Sequence, residues 1–220
     1  MELKGIVPAL VTPFDRDGNV NYEELKKLVS LLLEEGADGF YVTGSTGECF
    51  LLTDEERIHI TSVVAETVDG KVPVIAHVGK IGAKQAAYLA RESQNAGASA
   101  VSSVPPFYYD FKFEEIVRYY AAISDSVDVP VVVYNFPQYS GVTINASNLA
   151  QIMEHCRGGG LKSTCLLYTS DVYKRQEKVQ ADIIRGMKRR PRKFSAGCLP
   201  MDFKAGIPMP VITIMICRSW

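Results

Sequence analysis

The chain has 220 residues, of which 47% are hydrophobic and 22% charged, and its formal net charge is −1. This composition predicts a soluble globular protein with a sizeable core, and the balanced charge gives no electrostatic case for a nucleic-acid or membrane partner. No run approaches the ~18 apolar residues of a membrane-spanning helix. The first residues lack the apolar segment of a signal peptide, so we predict a cytoplasmic location.

The cysteines and histidines indicate neither a disulfide framework nor a metal centre. The five cysteines are an odd number without a C-x-x-C pair, which is typical of reduced thiols. No cluster of His, Asp or Glu has metal-ligand spacing. We therefore expect no metal centre.

Apolar β-rich runs alternate with amphipathic helical runs from the start of the chain to about residue 164. Strands are predicted at 6–11, 39–43, 72–78, 100–104, 129–135 and 159–162. Helices are predicted between them at 22–35, 54–68, 82–96, 113–126 and 146–156. Asn21 with Glu24 and Thr53 with Glu56 have the spacing of a capping box, and Asn145 or Ser147 suits the start of the last helix.

This alternation predicts an α/β fold with a parallel sheet. The strands are continuous apolar runs that recur about every 30 residues, the length of a βαβ unit. A doubly wound sheet and a (β/α)8 TIM barrel both fit, but the regular repeat without a Gly-x-Gly-x-x-Gly turn favours the barrel, truncated after about strand six. In such barrels the active site lies at the carboxyl ends of the strands.

Three features at predicted strand ends suit Schiff-base chemistry on a keto acid. Lys162 ends a Gly-rich strand, where burial would lower the pKa of its amine. Tyr134 ends the preceding strand, where its phenol could shuttle protons. The turn Gly44–Glu48 offers N–H groups and hydroxyls to a carboxylate. Each alone also fits an ordinary role, as a surface lysine, a packed tyrosine or a simple strand-to-helix connection.

The pattern is lost after residue 164. Residues 165–170 (CLLYTS) resemble a translation of the mosaic-end DNA of transposase-made sequencing libraries, and residues 171–176 (DVYKRQ) resemble a translation of its reverse complement. Residues 1–164 hold 13 basic and 21 acidic residues, whereas residues 177–220 hold 9 and 3. We therefore expect a partial TIM-barrel domain at 1–164 and a non-native or out-of-frame tail at 165–220.

The upstream segments resemble the pyruvate-dependent class I aldolases, the family that includes N-acetylneuraminate lyase and dihydrodipicolinate synthase. The matching segments are 9–14 (ALVTPF), 44–48 (GSTGE), 75–79 (IAHVG), 134–137 (YNFP) and 161–162 (LK). Three details favour the sialic acid lyase branch. The turn carries Ser45, the segment 106–115 is similar to the lyase version, and Tyr139 stands where synthases usually place an arginine that binds a dicarboxylate.

The resemblance implies a reaction that needs no metal and no diffusible cofactor, and a role for each matching residue. Lys162 would form the Schiff base with pyruvate or sialic acid, and Tyr134 would transfer protons. Ser45 and Thr46 would bind the pyruvyl carboxylate. Thr46 and Tyr108 would belong to a hydroxyl relay, with Tyr108 reaching in from a neighbouring subunit of a homotetramer. Thr164 would contact the sugar, and N-acetylneuraminate would be cleaved to N-acetylmannosamine and pyruvate.

Other functions stay open at this point. The family's seventh and eighth strands have no counterpart in residues 165–220, so the chain as written is expected to be inactive. The acceptor could instead be that of 4-hydroxy-tetrahydrodipicolinate synthase or of another sugar-acid aldolase. A non-catalytic binding protein of the same fold is a further alternative, as is nucleic-acid binding by the basic run at 188–193.

Overall fold

The computed structural model describes residues 5–163, which form a five-stranded parallel sheet with helices between successive strands. The strands are β1 Phe40–Val42, β2 Val74–His77, β3 Ala100–Ser103, β4 Val131–Asn135 and β5 Gly158–Ser163. The helices are α1 Tyr22–Glu34, α2 Asp54–Val68, α3 Ala83–Asn95, α4 Phe113–Asp125, α5 Pro137–Ser140 and α6 Ala146–Met153. Thr164 and the tail at 165–220 lie outside the described residues.

The helices begin where the sequence places their caps. Thr53 and Glu56 form a complete capping box, because each side chain accepts a hydrogen bond from the other residue's backbone N–H. Asn21 caps α1, and Asn145, not Ser147, caps α6. The one-turn helix α5 was not predicted. No helix within residues 5–163 is long and apolar enough to cross a membrane.

The strand order decides between the two folds that the sequence left open. Each strand pairs in parallel with the next strand of the chain, in the order β1-β2-β3-β4-β5. A doubly wound sheet reverses its order at a switch point, whereas a (β/α)8 barrel winds in one direction. The described strands follow the winding of the barrel, and the predicted fold class is confirmed.

The predicted first strand at 6–11 was wrong. This segment contains isolated bridge residues and no continuous strand: Ala9 pairs in parallel with Tyr41, with hydrogen bonds from Tyr41 N–H to Pro8 O and from Leu10 N–H to Tyr41 O, both 2.9 Å long. Pro8 has no N–H to donate, so the segment cannot extend a regular ladder.

Alternating residues of each strand face two different cores. The outer core packs the sheet against the helices and contains Phe40, Val42, Val74, Ala76, Val101, Val131 and Val133. The inner cluster contains Val7, Ala9, Tyr41, Ile75, Ala100, Val104, Val132 and Tyr134. Because successive side chains of a strand point to opposite faces, one apolar run supplies both layers.

Candidate functional site

Glycines in β5 bring Lys162 to the inner face of the sheet, opposite Tyr134. The register of β4 and β5 slips at Gly159, where a side chain would place its Cβ 2.6 Å from the carbonyl oxygen of Val131. Gly160 follows with φ +116°, a conformation that other residues rarely adopt. A bulge of this kind re-aims the residues that follow it. The glycine run therefore sets the position of the lysine.

Burial makes Lys162 an unusual lysine. The residue is only 3% exposed, and burial lowers the pKa of its amine from 10.5 to about 7. Its Nζ lies 3.4 Å from the centroid of the Tyr134 ring and 5.1 Å from that of Tyr41. The ring faces favour the ammonium form by about 1 kcal/mol, less than the free energy of a shift of this size. A substantial fraction of the amine is therefore neutral at pH 7.

Tyr134 presents a protonated phenol next to this amine. Burial raises the pKa of its hydroxyl to about 12, and a side-chain hydrogen bond with Ser45 opposes the shift. The ring stacks on Phe136 with centroids 5.5 Å apart. Tyr134 is paired in register with Lys162, so the two side chains leave neighbouring strands at the same level. The hydroxyl is held between the strand and the turn that follows β1.

The ring of Tyr41 faces the Lys162 amine, and its hydroxyl is held by a hydrogen bond. Its hydroxyl donates to Ser102 Oγ at 3.1 Å, and the Ser102 hydroxyl donates to the carbonyl oxygen of Val132 at 2.9 Å. The Tyr41 and Tyr134 rings meet edge to face, with centroids 6.1 Å apart. Two strands thus supply the aromatic rings next to the lysine, and a third supplies the serine that holds one of them.

The turn after β1 has the geometry of an anion site. Residues Ser45–Gly47 form a 3₁₀ turn, and the Thr12 hydroxyl donates to the carbonyl oxygen of Gly47 at 2.8 Å. The first N–H groups of a helical turn have no acceptor within the turn and are available to an anion. Ser45 is exposed and Thr46 half-buried. The hydrogen bond from Ser45 to Tyr134 brings this turn next to the lysine.

His77 contacts Thr43, just before the turn, and Arg57 contacts His77. The His77 ring meets Tyr134 edge to face with centroids 6.0 Å apart and lies 6.3 Å from the Tyr41 ring. Arg57, on α2, is only 1% exposed, and its guanidinium donates to the carbonyl oxygen of His77 at 2.6 Å. Burial, followed by the charges of Arg57 and Lys162, lowers the pKa of His77 well below its usual value.

Tyr108 stands outside this buried cluster. Its side chain is 83% exposed, and its ring packs edge to face on Tyr109 with centroids 5.0 Å apart. Together with Tyr139, it lines a groove of about 350 Å³ at the rim. Lys162, Tyr134 and Ser45 are therefore the predicted site residues that this structure brings together, and Thr46 lies in the same turn.

Sequence patterns did not identify Tyr41 or Arg57 as parts of the site. Tyr41 sits in a continuous apolar strand, where hydrophobicity alone does not separate the inner from the outer face. Arg57 lies in the first two turns of a helix among acidic residues, a pattern typical of a solvated surface. Only the register of Tyr41 with the other inward residues could have suggested its place.

The cluster combines groups that are suited to carbonyl chemistry. A buried neutral amine is a nucleophile toward a ketone, a neighbouring phenol can move protons, and a turn of N–H groups can bind a carboxylate. Within residues 5–163, no group of three or more His, Cys, Asp and Glu side chains could hold a metal ion. These functions suit a small keto acid.

The chain matches the Dihydrodipicolinate synthetase family over residues 2–184. This range extends past residue 164, the boundary that we predict for the aldolase domain. The N-acetylneuraminate lyase of Citrobacter koseri is 41% identical over 177 residues, which cover 80% of this chain and 58% of that protein. The chain thus spans less than two thirds of this relative.

Two solved structures resemble the described sheet and helices. CdNal from Clostridium difficile, in complex with mannosamine, has a TM-score of 0.72 and 35% identity, covering 82% of this chain and 62% of that one. The chloride-inhibited dihydrodipicolinate synthase from Acinetobacter baumannii, complexed with pyruvate, has a TM-score of 0.72 and 28% identity, covering 82% and 60%. From the family match and this shared architecture, we conclude that the chain belongs to the dihydrodipicolinate synthetase family.

Proposed function

We propose that residues 5–163 supply the Schiff-base-forming part of a pyruvate-dependent class I aldolase. The observation that carries the proposal is Lys162, a lysine that is 3% exposed, has a pKa of about 7 and is paired in register with Tyr134. A structural lysine gains nothing from such burial, because desolvation disfavours its charged form. Perturbed amines of this kind are concentrated at functional sites.

The chemistry follows from the positions of the groups. The carboxylate of the keto acid binds the N–H groups and hydroxyls of Ser45 and Thr46. The neutral Nζ of Lys162 attacks the keto carbon, and the carbonyl oxygen leaves as water after two proton transfers. Tyr134, with a pKa of about 12, serves as a relay that gives one proton as it receives another.

The resulting protonated imine is an electron sink. When a bond to the carbon next to the imine breaks, its electron pair enters the conjugated system and leaves an enamine on Lys162. Reprotonation and hydrolysis then release pyruvate and regenerate the amine. This is the carbon–carbon cleavage expected of a lyase, and the same steps in reverse join pyruvate to an aldehyde.

We further propose that the acceptor is a sugar and that the whole protein cleaves N-acetylneuraminate. The Citrobacter koseri relative bears that activity in its name, and Tyr139 supplies no guanidinium for a second carboxylate. A synthase of the dihydrodipicolinate type or another sugar-acid aldolase is the second candidate, favoured by the likeness to the Acinetobacter baumannii enzyme.

The site also needs parts that lie beyond the described residues. Thr164 is proposed to contact the sugar. Tyr108, 83% exposed on the rim, is proposed to reach the site of a neighbouring subunit in a cytoplasmic homotetramer. We propose that the native sequence ends near residue 164 and leaves the barrel incomplete, so that the chain as written does not turn over sialic acid. Amplification of the same uninterrupted reading frame from the source DNA would contradict this boundary.

Borohydride trapping with pyruvate, followed by peptide mass spectrometry, tests the proposal. The expected result is a reduced pyruvyl adduct on Lys162 and none on the exposed Lys71. Lys162→Met is expected to abolish the adduct, whereas Lys71→Met leaves it unchanged. Adducts spread over surface lysines, or none on Lys162, would contradict the proposal for this chain. An adduct without release of pyruvate from N-acetylneuraminate would support the Schiff-base chemistry alone.

A further inference from the structure

Thr43 holds a strained backbone conformation directly before the anion-binding turn. Its φ is +51°, in the left-handed region that β-branched residues rarely occupy, and its side chain is only 2% exposed. The strand β1 ends at the preceding residue, and the chain leaves the sheet into Ser45–Gly47 through this conformation. Such strain persists only where the surroundings hold it in place.

His77 supplies two of the contacts that hold Thr43. The Thr43 hydroxyl donates to the carbonyl oxygen of His77 at 3.1 Å. The Nδ1 of His77 lies 3.2 Å from the carbonyl oxygen of Thr43. The two residues therefore contact each other twice, at the carboxyl ends of β1 and β2. A proton on Nδ1 completes the second hydrogen bond.

The charges around the ring favour its neutral form. The Arg57 guanidinium donates to the carbonyl oxygens of His77 and Gly79 and lies 3.3 Å from Nδ1, to which it can donate only when Nδ1 carries no proton. Its positive charge, and that of Lys162 from β5, disfavour an imidazolium. Tyr41 and Tyr134 are the titratable groups that pack on the ring from β1 and β4.

The opposite edge of the ring offers no competing acceptor. The Nε2 of His77 is buried without a hydrogen-bond partner within the described residues, and a Cβ at Gly79 would lie 2.8 Å from it. A proton on Nε2 would let Nδ1 accept from Arg57, but it would leave a buried N–H without an acceptor and set the lone pair of Nδ1 against the carbonyl oxygen of Thr43. A proton on Nδ1 gives up the contact with Arg57, whose guanidinium keeps its hydrogen bonds to two backbone carbonyls, and leaves Nε2 as an unpaired acceptor. A buried acceptor without a partner is commoner in proteins than a buried N–H without one.

We propose that His77 is a positioning residue: as the neutral Nδ1–H tautomer it holds Thr43 in its left-handed conformation and thereby aims the turn Gly44–Gly47 at the substrate carboxylate. Arg57 orients the ring from below. This inference rests on the proposed function, in which that turn binds the keto acid. It assigns His77 to carboxylate binding and leaves proton transfer to Tyr134.

A rescue experiment separates this role from simple packing. His77→Leu removes the donor and should raise the pyruvate concentration for half-maximal borohydride trapping about tenfold, with little change in the maximum rate. His77→Asn keeps a donor near the position of Nδ1 and should stay within about threefold of the unchanged chain. Adding Thr43→Gly to His77→Leu should also restore the half-saturating pyruvate concentration to within about threefold of that of the unchanged chain. Glycine adopts the left-handed conformation without contacts that hold it there.

The outcomes are distinct. If the double variant is as impaired as His77→Leu, or if His77→Asn is as impaired, then His77 acts through packing alone and the proposal is overturned. A fall in the maximum rate at an unchanged half-saturating concentration would assign His77 to the chemical step, which also overturns it. If the unchanged chain forms no adduct on Lys162, the proposed function fails, and His77 is decided by the next measurement.

The tautomer can be read in the unchanged chain without any activity. Long-range ¹H–¹⁵N correlation spectra of histidine-labelled protein distinguish Nδ1–H, Nε2–H and imidazolium rings. His59 and His155, the other two histidines, are exposed. The signal that disappears in the variant His77→Asn therefore belongs to His77. A neutral Nδ1–H ring between pH 5 and pH 8 is expected. An Nε2–H ring or an imidazolium in that range would overturn the proposal even if His77→Leu does not fold.

Discussion

The outer and inner faces of the sheet are made by alternate residues of the same strands, but they differ in chemistry. The outer face is an apolar layer that packs on the helices. The inner face carries Tyr41, Ser102, His77, Tyr134 and Lys162 among its buried residues. Tyr41, His77 and Ser102 each hydrogen-bond to another strand or to the residue that follows one, whereas the lysine amine meets aromatic ring faces. We therefore expect stability to depend mainly on the outer face and reactivity on the inner face.

The largest expected difference between the faces is kinetic. Tyr134→Phe removes the inner-face hydroxyl and should slow borohydride-trapped adduct formation about 10²- to 10³-fold, because proton transfer loses its relay. Tyr120→Phe is the matched control, since the Tyr120 hydroxyl donates to the carbonyl oxygen of Ser103 on the outer side. That variant should lose about 1 kcal/mol of stability and keep its trapping rate. Equal rates for the two variants would remove Tyr134 from the mechanism.

The outer face should dominate the free energy of unfolding. Leu89 on α3 is completely buried in the outer core, so Leu89→Ala should cost about 2–5 kcal/mol through lost burial and a residual cavity. Leu31→Ala, at a position that is 44% exposed on α1, should change stability by about 0.5 kcal/mol or less. Urea denaturation followed by circular dichroism measures both. Similar losses at the two positions would mean that the outer core does not form as described.

The buried lysine on the inner face should lower the free energy of unfolding of the chain. The folded pKa of Lys162, about 7, lies below its ordinary value of 10.5, so the unfolded chain binds more protons between these pH values. Stability should therefore rise with pH from about 7 to 10, and the cost of the buried amine is fully present below pH 7. Lys162→Met should stabilise the chain by roughly 2 kcal/mol or more at pH 6, with the gain vanishing near pH 10. A pH-independent gain would argue against a perturbed amine.

The smallest effect is expected at a helix start, away from both faces. Thr53→Ala removes the side chain that accepts from the Glu56 N–H at the beginning of α2 and should cost about 1 kcal/mol. Thr143→Ala, in an exposed loop position, should be nearly neutral. Thermal unfolding of the two variants in the same buffer gives the difference. A loss at Thr143 as large as at Thr53 would show that the cap contributes no specific stability.

Local patterns predicted the helices and placed the candidate site residues at strand ends, but they did not predict the packing around those residues. The box of Thr53 and Glu56 marks a helix start because both partners are three residues apart in the chain. Lys162 and Tyr134 were identified by their positions at strand ends. Arg57 was not, because nothing in a charged helical segment shows that its guanidinium is buried beneath a neighbouring strand. The first strand was overpredicted because apolar character outweighed the missing N–H of Pro8.

The sequence by itself determined the parallel α/β class, the helix starts and the strand-end set of lysine, tyrosine and Gly-Ser-Thr-Gly turn, since these depend on periodicity and on neighbours close in the chain. The tertiary structure decided the strand order, the bulge at Gly159 and the pairing of Lys162 with Tyr134, because register is a relation between segments far apart in sequence. It also decided the burial of the lysine. Its pKa depends on how completely several strands exclude water from one amine, and a linear pattern cannot report that exclusion.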